Sequence, residues 1–235
     1  VAPTYHPSYV LRTKDDWEGP VIKLWFERHL QSALSLNGRP WEVVPDYRSQ
    51  VTIVMDSDLA AEWIRDKIYR GGPVAFDYET NQLKPDGPDV AIVCSSICWR
   101  GLETIAYPWV GEAIKATAEL LVSDLPKIGA NNKFECRWSR RLLGVSVRNR
   151  VWDTMISSHH LDCRPNITSV KFQAFVRLGF PDWSESIRPF LTSIDNQGIN
   201  RVREVDLRSL LIYCGIDSLC EFLIAKIQRM EMQGE

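Results

Sequence analysis

Hydrophobic and polar positions follow two different periods along the chain, and these periods predict strands and helices. Short apolar runs bounded by polar or glycine turns predict strands at 51–55, 74–79, 90–98, 102–107, 127–130 and 151–152. Apolar residues spaced three or four apart predict helices at about 19–36, 57–70, 113–121, 132–143, 154–161, 168–177 and 207–231. Three consecutive strands followed by alternating helices favour an α/β domain with a mixed sheet flanked by helices.

The same pattern divides the chain into three stretches. Residues 1–36 form a first block, and the main block runs over 51–235. Between them, residues 37–50 have no clear period and contain Asn37-Gly38, Pro40 and Pro45, which predicts a linker.

Composition narrows the class of protein. The chain has 235 residues, of which 45% are apolar and 25% charged, as in a soluble globular protein. Since no apolar run approaches the roughly 20 residues of a membrane span and no signal peptide is visible, we expect no membrane association. The cysteines described below favour a cytoplasmic protein (in the host cell, if phage-encoded). The net charge of −2 means that any nucleic-acid binding must come from a local patch. Candidates for such a patch, or for an ordinary solvated helix face, are Arg137, Arg140, Arg141, Arg148 and Arg150.

The six cysteines form no C-x-x-C pair and lie mostly within apolar segments. This distribution favours reduced core thiols over a metal cluster or a disulfide framework. The residues are Cys94, Cys98, Cys136, Cys163, Cys214 and Cys220.

Two carboxylates interrupt the apolar run of the strand predicted at 74–79. Asp77 and Glu79 are two residues apart, so a strand directs both side chains to the same face. Two adjacent carboxylates repel each other and are costly to desolvate. A hard divalent cation between them would relieve both costs, whereas a purely structural pair is the alternative.

Further polar residues occur downstream at helical positions. Glu135 follows Asn131 and Asn132 at a strand-to-helix junction, where a lone Glu is otherwise a helix-dipole partner. Tyr213 and Asp217 are four residues apart on one face of an otherwise apolar helix. A buried carboxylate there requires a partner or a metal, and a hydrogen bond between these two side chains is the alternative.

In order along the chain, these elements are D-x-E on a strand, N-x-K-F-E at a helix start and Y-x-x-x-D on a late helix. Together they resemble the DEDD superfamily of 3′–5′ exonucleases, in its tyrosine-bearing subclass, over roughly residues 51–235. The likeness is greatest to the proofreading domain of family A DNA polymerases, including those of phages. The other subclass carries His five residues before the last Asp, where this chain has Ile212, so His159 and His160 are expected on an ordinary helix surface.

The resemblance implies a ribonuclease-H-like fold and two Mg²⁺ or Mn²⁺ ions. It implies that Asp77 bridges both ions, that Glu79 and Asp217 complete the first, and that Glu135 supports the second. Tyr213 would orient the attacking water, and the product would be a 5′-mononucleotide. One departure is that the family usually has Asp where this chain has Glu135.

The implied substrate is single-stranded DNA or a frayed 3′ end. Leu83 and Asn131 match family positions near the terminal nucleotide. Phosphate contacts are expected to dominate, with candidates Lys133, Arg137, Lys171 and Arg177.

The decapeptide at 3–12 resembles the late H-P-S motif of family 4 uracil-DNA glycosylases, with His6 at the histidine position. Because the uracil pocket of that family is built from elements further upstream, residues 1–36 alone would be a glycosylase-like remnant. The simpler interpretation is that His6 occupies a proline-bounded turn. The resemblance predicts a piece of a larger replication protein, with a polymerase domain following in the same chain.

Two alternatives remain open at the level of the sequence. One is an RNA-processing exonuclease resembling ribonuclease D, which shares the motifs. The other is a non-catalytic domain that braces a polymerase or binds single strands.

Overall fold

The computed structural model describes residues 4–37, 43, 45–99, 103–193 and 198–233. Within these ranges the strands are β1 (Val51–Ile53), β2 (Val74–Thr80), β3 (Ile92–Trp99), β4 (Glu103–Pro108), β5 (Lys127–Gly129) and β6 (Arg150–Asp153). The helices are α1 (Pro7–Arg12), α2 (Gly19–Leu36), α3 (Ser57–Arg70), α4 (Gly111–Val122), α5 (Lys133–Leu143), α6 (Thr154–Leu161), α7 (Val170–Leu178), α8 (Arg188–Leu191) and α9 (Leu207–Gln233). Every predicted strand and helix is confirmed to within a few residues at its ends.

The six strands form one mixed sheet in the order β1-β4-β3-β2-β5-β6. Strands β2, β3 and β4 are antiparallel neighbours, whereas β1 runs parallel to β4, and β5 and β6 continue parallel to β2. The predicted α/β class with a mixed sheet flanked by helices is confirmed.

Helices cover both faces of this sheet. The side chains of Phe76 and Tyr78 pack in a core with α3, α4 and α5, and Ala75 packs in the opposite core with α7 and α9. Since strand side chains alternate between faces, Asp77 and Glu79 share the face of Ala75. The sheet therefore presents both carboxylates toward α9.

The N-terminal block packs onto the main block through aromatic side chains. The ring of Trp25 on α2 lies 5.9 Å from that of Phe172 and 5.2 Å from that of Phe175, both on α7. His6 caps α1, since its Nδ1 accepts a hydrogen bond from the Ser8 amide at 3.2 Å. Its glycosylase-like origin and the three domain boundaries stay predictions. The linker prediction lies partly outside the described residues, since 38–42 and 44 are not among them.

Among the described residues, no helix combines the length and the apolar character that crossing a bilayer requires.

Candidate metal centre

Strand β2 and helix α9 bring three donor groups together. One carboxylate oxygen of Asp77, one of Glu79 and the Sγ of Cys214 all lie within 4.8 Å of one another. The Cys214 thiol is 3.7 Å from Asp77 Oδ2. Burial raises the pKa of Cys214 well above its ordinary value, so the thiol stays protonated beside the carboxylates. Its position in this group was not predicted from the sequence, which favoured reduced core thiols. That prediction is wrong for Cys163, which is exposed, and only partly right for Cys136, which is half-buried.

Helix α9 lies unusually close to the sheet at this point. A side chain at Gly215 would place its Cβ 2.3 Å from Val51 Cγ1, so only glycine permits the approach. The Ser96 hydroxyl on β3 donates to the Cys214 carbonyl at 2.7 Å and also bonds the Ser218 hydroxyl at 2.9 Å. These contacts hold the helix in register with β3, which is the neighbour of β2.

Tyr213 and Asp217, which are one turn apart on α9, face the same region. Both side chains are buried, and burial, followed by the charge of Asp217, raises the pKa of the Tyr213 hydroxyl. The Lys171 ammonium on α7 lies 2.5 Å from Asp217 Oδ1 and 4.7 Å from the centre of the Tyr213 ring. It also lies 5.1 Å from the Trp183 ring. Asp217 is therefore an ion-paired carboxylate, and Lys171 lies inside the site rather than on an open surface.

Glu135 reaches the site from the junction of β5 and α5. Asn131 has a left-handed backbone conformation with φ 58°, which asparagine tolerates better than most residues. The amides of Asn131 and Asn132 donate to the two carboxylate oxygens of Asp153, at 3.0 and 2.8 Å. Asp153 also caps α6. This junction directs Glu135 inward, where the residue is 3% exposed and its Oε2 has no hydrogen-bond partner among the described residues.

The acidic side chains act on one another electrostatically. Burial, together with the negative charge of Asp217, raises the pKa of Asp77 to about 8. Burial and then the charge of Asp77 raise the pKa of both Glu79 and Glu135 well above the ordinary range. Burial raises the pKa of Asp217 as well, and Lys171 acts in the opposite direction. Asp77 thus interacts electrostatically with the other three carboxyl groups, and Lys171 opposes the upward shifts of the pKa of Asp77, Glu79 and Asp217.

A fifth buried acid belongs to the same cluster and was missed by the sequence analysis. Glu221 follows Asp217 by four residues on α9 and is 3% exposed. Burial, followed by the charges of Asp77, Glu135 and Asp217, raises its pKa well above the ordinary value. Its spacing from Asp217 was the available signal, since residues four apart share a helix face.

The candidate substrate-binding residues lie in varied surroundings. Leu83, in the loop after β2, is 66% exposed, and Lys133 is exposed at the start of α5. Arg137 is exposed and pairs with Asp86. Arg177 is directed away from solvent, since its guanidinium is largely buried and pairs with Glu231. His159 and His160 are exposed on α6, as expected.

The donor set suits a hard divalent cation. Its members are carboxylates, which Mg²⁺ and Mn²⁺ prefer as ligands, and the Glu135 oxygen without a partner provides a free ligand position. The neighbouring Cys214 is a protonated thiol, unlike the thiolates that select softer metals. Asp77, Glu79, Asp217 and Glu135 could therefore hold such ions.

Comparison with known proteins places the fold. No family model and no curated protein matches the chain. Among solved structures, 78% of the chain superimposes on 45% of Escherichia coli RNase D, with a TM-score of 0.58 and 13% identity. The fold is ribonuclease-H-like.

Two further structures share this fold. The POL domain of Pol1 from M. smegmatis, solved with DNA primer-template and dNTP, matches 78% of the chain with a TM-score of 0.55 and 11% identity. Brucella melitensis NrnC with bound Mg²⁺ matches the same share with a TM-score of 0.53 and 16% identity. The chain spans 28% of the Pol1 structure, 45% of RNase D and 81% of NrnC.

Proposed function

We propose that this chain is a metal-dependent 3′–5′ exonuclease that removes 5′-mononucleotides from nucleic-acid 3′ ends. The observation that carries the proposal is the meeting of acidic side chains from β2, α5 and α9 in one buried cluster. A buried cluster of carboxyl groups with one ammonium nearby is unfavourable without further positive charge. Divalent cations bound among these groups would supply that charge.

Asp77, Glu79, Asp217 and Glu135 would hold two Mg²⁺ or Mn²⁺ ions. When bound, a pair of such ions supplies the charge that activates an attacking water and stabilises the leaving 3′ oxygen. Tyr213 keeps its proton, because burial raises the pKa of its hydroxyl far above the neutral range. It can therefore donate a hydrogen bond and orient the attacking water beside Asp217.

The substrate end would be bound by residues around the cluster. Leu83 offers an exposed apolar side chain just beyond β2, suited to stacking or wedging against a terminal base. Asn131 and the exposed Lys133 lie at the start of α5, beside Glu135. Lys171 would move its charge from Asp217 to a substrate phosphate once cations neutralise the carboxylate.

The leading substrate is single-stranded DNA or a frayed 3′ end, in proofreading beside a polymerase domain of the same chain. This assignment rests on the motif resemblance and on the shared fold with a structure that holds DNA primer-template. The second candidate is RNA processing, favoured by the fold shared with RNase D, which is an exoribonuclease involved in structured RNA processing.

End-labelled oligonucleotides test the proposal. With Mg²⁺ or Mn²⁺, a 3′-labelled single strand should lose its label at once as mononucleotide, while a 5′-labelled strand shortens stepwise. EDTA and Asp77→Asn should each stop both reactions. If both labelled strands stay at full length in Mg²⁺ and in Mn²⁺, the proposed exonuclease activity is refuted. Matched DNA and RNA strands then decide between the two substrates by their relative rates.

A further inference from the structure

Glu221 is a buried acid for which the four-carboxylate scheme has no use. Its side chain lies on the face of α9 that carries Tyr213 and Asp217, at successive spacings of four residues. Elsewhere this part of the helix packs apolar side chains such as Leu219 and Ile224 into the core. A carboxyl group at such a position is costly unless something binds it.

Nothing in the described part of the chain satisfies one of its oxygens. Glu221 Oε2 is fully buried without a hydrogen-bond partner among those residues, and the same holds for Glu135 Oε2. Buried polar atoms are paired in the great majority of cases, so each exception calls for a specific cause. Two such carboxyl oxygens in one cluster indicate a shared absent partner that carries positive charge or donates hydrogen bonds.

Glu221 is linked electrostatically to the other acidic side chains of the cluster. The negative charges that act on it are those of Asp77, Glu135 and Asp217, in that order. Its oxygens are not in the compact group formed by Asp77, Glu79 and Cys214. Glu221 thus interacts electrostatically with the cluster from outside that compact group.

We propose that Glu221 is a fifth acidic residue of the metal centre and acts with Glu135 on the second ion, directly or through a bound water. The proposal rests on the proposed function. It accounts for the two unpartnered oxygens with one ligand. It also gives a reason why Glu can stand at position 135 where the resembled family has Asp, because a second carboxylate adds to the charge around that ion.

Binding of Mn²⁺ to the whole chain tests the proposal. It is measured by calorimetry and by the electron paramagnetic resonance signal of free Mn²⁺. The variants are Glu221→Gln and Glu221→Met, which keep the side-chain volume. Glu231→Gln is the control, because it makes the same chemical change on α9 at the partner of Arg177, away from the cluster. Melting in EDTA and in Mn²⁺ is recorded for each protein.

The wild type and Glu231→Gln should bind two Mn²⁺ ions. Both Glu221 variants should keep the tighter site and bind the weaker ion about 10- to 100-fold less well. In EDTA, both variants should melt no lower than the wild type, because a repelling carboxyl group is gone. Their melting temperatures should rise less on addition of Mn²⁺ than that of the wild type.

Three results have distinct meanings. Wild-type affinity for both ions in the two Glu221 variants would overturn the role of Glu221 alone. Failure of both variants to fold in EDTA would also overturn it, because the carboxyl would then serve packing. No Mn²⁺ binding by the wild type would instead refute the proposed function.

Discussion

The ammonium of Lys171 lies 2.5 Å from Asp217 Oδ1, within a cluster of buried acidic side chains. Burial lowers the pKa of Lys171, but the neighbouring carboxylates more than compensate, and the net pKa is raised. The lysine is therefore charged at neutral pH. In the metal-free protein it supplies positive charge that cations would supply in use.

Replacing Lys171 by methionine should destabilise the metal-free protein. Asp217 would be left buried without its cation, so the free energy of unfolding in EDTA should fall by about 1–3 kcal/mol. Part of this loss should return with Mn²⁺, which can bind the freed carboxylate. Urea unfolding in EDTA and in Mn²⁺ measures both effects. Lys115→Met is the control, because its partner Glu112 is on the surface and exposed pairs contribute little. Equal stability of the two variants in EDTA would contradict the prediction.

Glu135→Ala should abolish digestion of single-stranded DNA in Mg²⁺. A loss of about 1,000-fold corresponds to roughly 4 kcal/mol of transition-state stabilisation. The variant should nevertheless fold, because the removed carboxyl group has a buried oxygen without a partner. Glu135→Asp, which restores the residue usual in the resembled family, should remain active. Full activity of the alanine variant would remove Glu135 from the site.

The stability of the metal-free protein should fall as pH rises from about 4 to about 8. The folded-state pKa of Asp77 is about 8 against an ordinary value of 3.8, so the folded protein holds a proton that the unfolded chain releases. The stabilisation that Asp77 contributes is complete below its ordinary pKa and is lost as pH rises through its pKa in the folded protein. One such group contributes a slope of up to about 1.4 kcal/mol per pH unit.

Urea unfolding in EDTA at several pH values, for the wild type and Asp77→Asn, measures that slope. The difference in pH slope between the two proteins should shrink in saturating Mn²⁺, because the bound cation favours the ionised form of Asp77. The same slope for both proteins in EDTA would show that Asp77 is ionised in the fold.

Asp153→Ala should lower both stability and activity. The carboxylate of Asp153 accepts hydrogen bonds from the amides of Asn131 and Asn132. It also caps α6 by accepting hydrogen bonds from the amides of Met155 and Ile156. Loss of a helix cap costs about 1–2 kcal/mol, and loosening the turn before α5 should displace Glu135.

Asp56→Ala separates these two effects, because Asp56 caps α3 on the other face of the sheet. It should cost similar stability and leave the rate of digestion unchanged at a temperature where both variants are folded. If Asp153→Ala digests DNA as fast as Asp56→Ala, the turn does not position Glu135.

Local patterns predicted most of the fold. Strand β2 and helix α9 were apparent from their apolar periods. The shared direction of Asp77 and Glu79 follows from the two-residue period of a strand, and that of Tyr213 and Asp217 from the turn of a helix. Such features depend on neighbours in the chain, so the sequence contains them.

The features that were missed depend on distant contacts. The ion pair of Lys171 with Asp217 joins residues 46 positions apart, and the thiol of Cys214 meets Asp77 across 137 positions. Glu221 could be placed on the helix face of Asp217, but nothing in the local pattern tells whether its oxygens find partners. That question is decided by what packs against the helix.

The amino-acid sequence by itself determined the strands, the helices, their order and the two pairs of site residues that share a face, because side-chain direction repeats within a strand or a helix turn. Only the tertiary structure decided that β2, α5 and α9 bring their acids into one buried cluster, that Lys171 offsets part of its charge and that two carboxyl oxygens remain unpartnered. Burial and long-range electrostatics act between segments that are close in space and far apart along the chain.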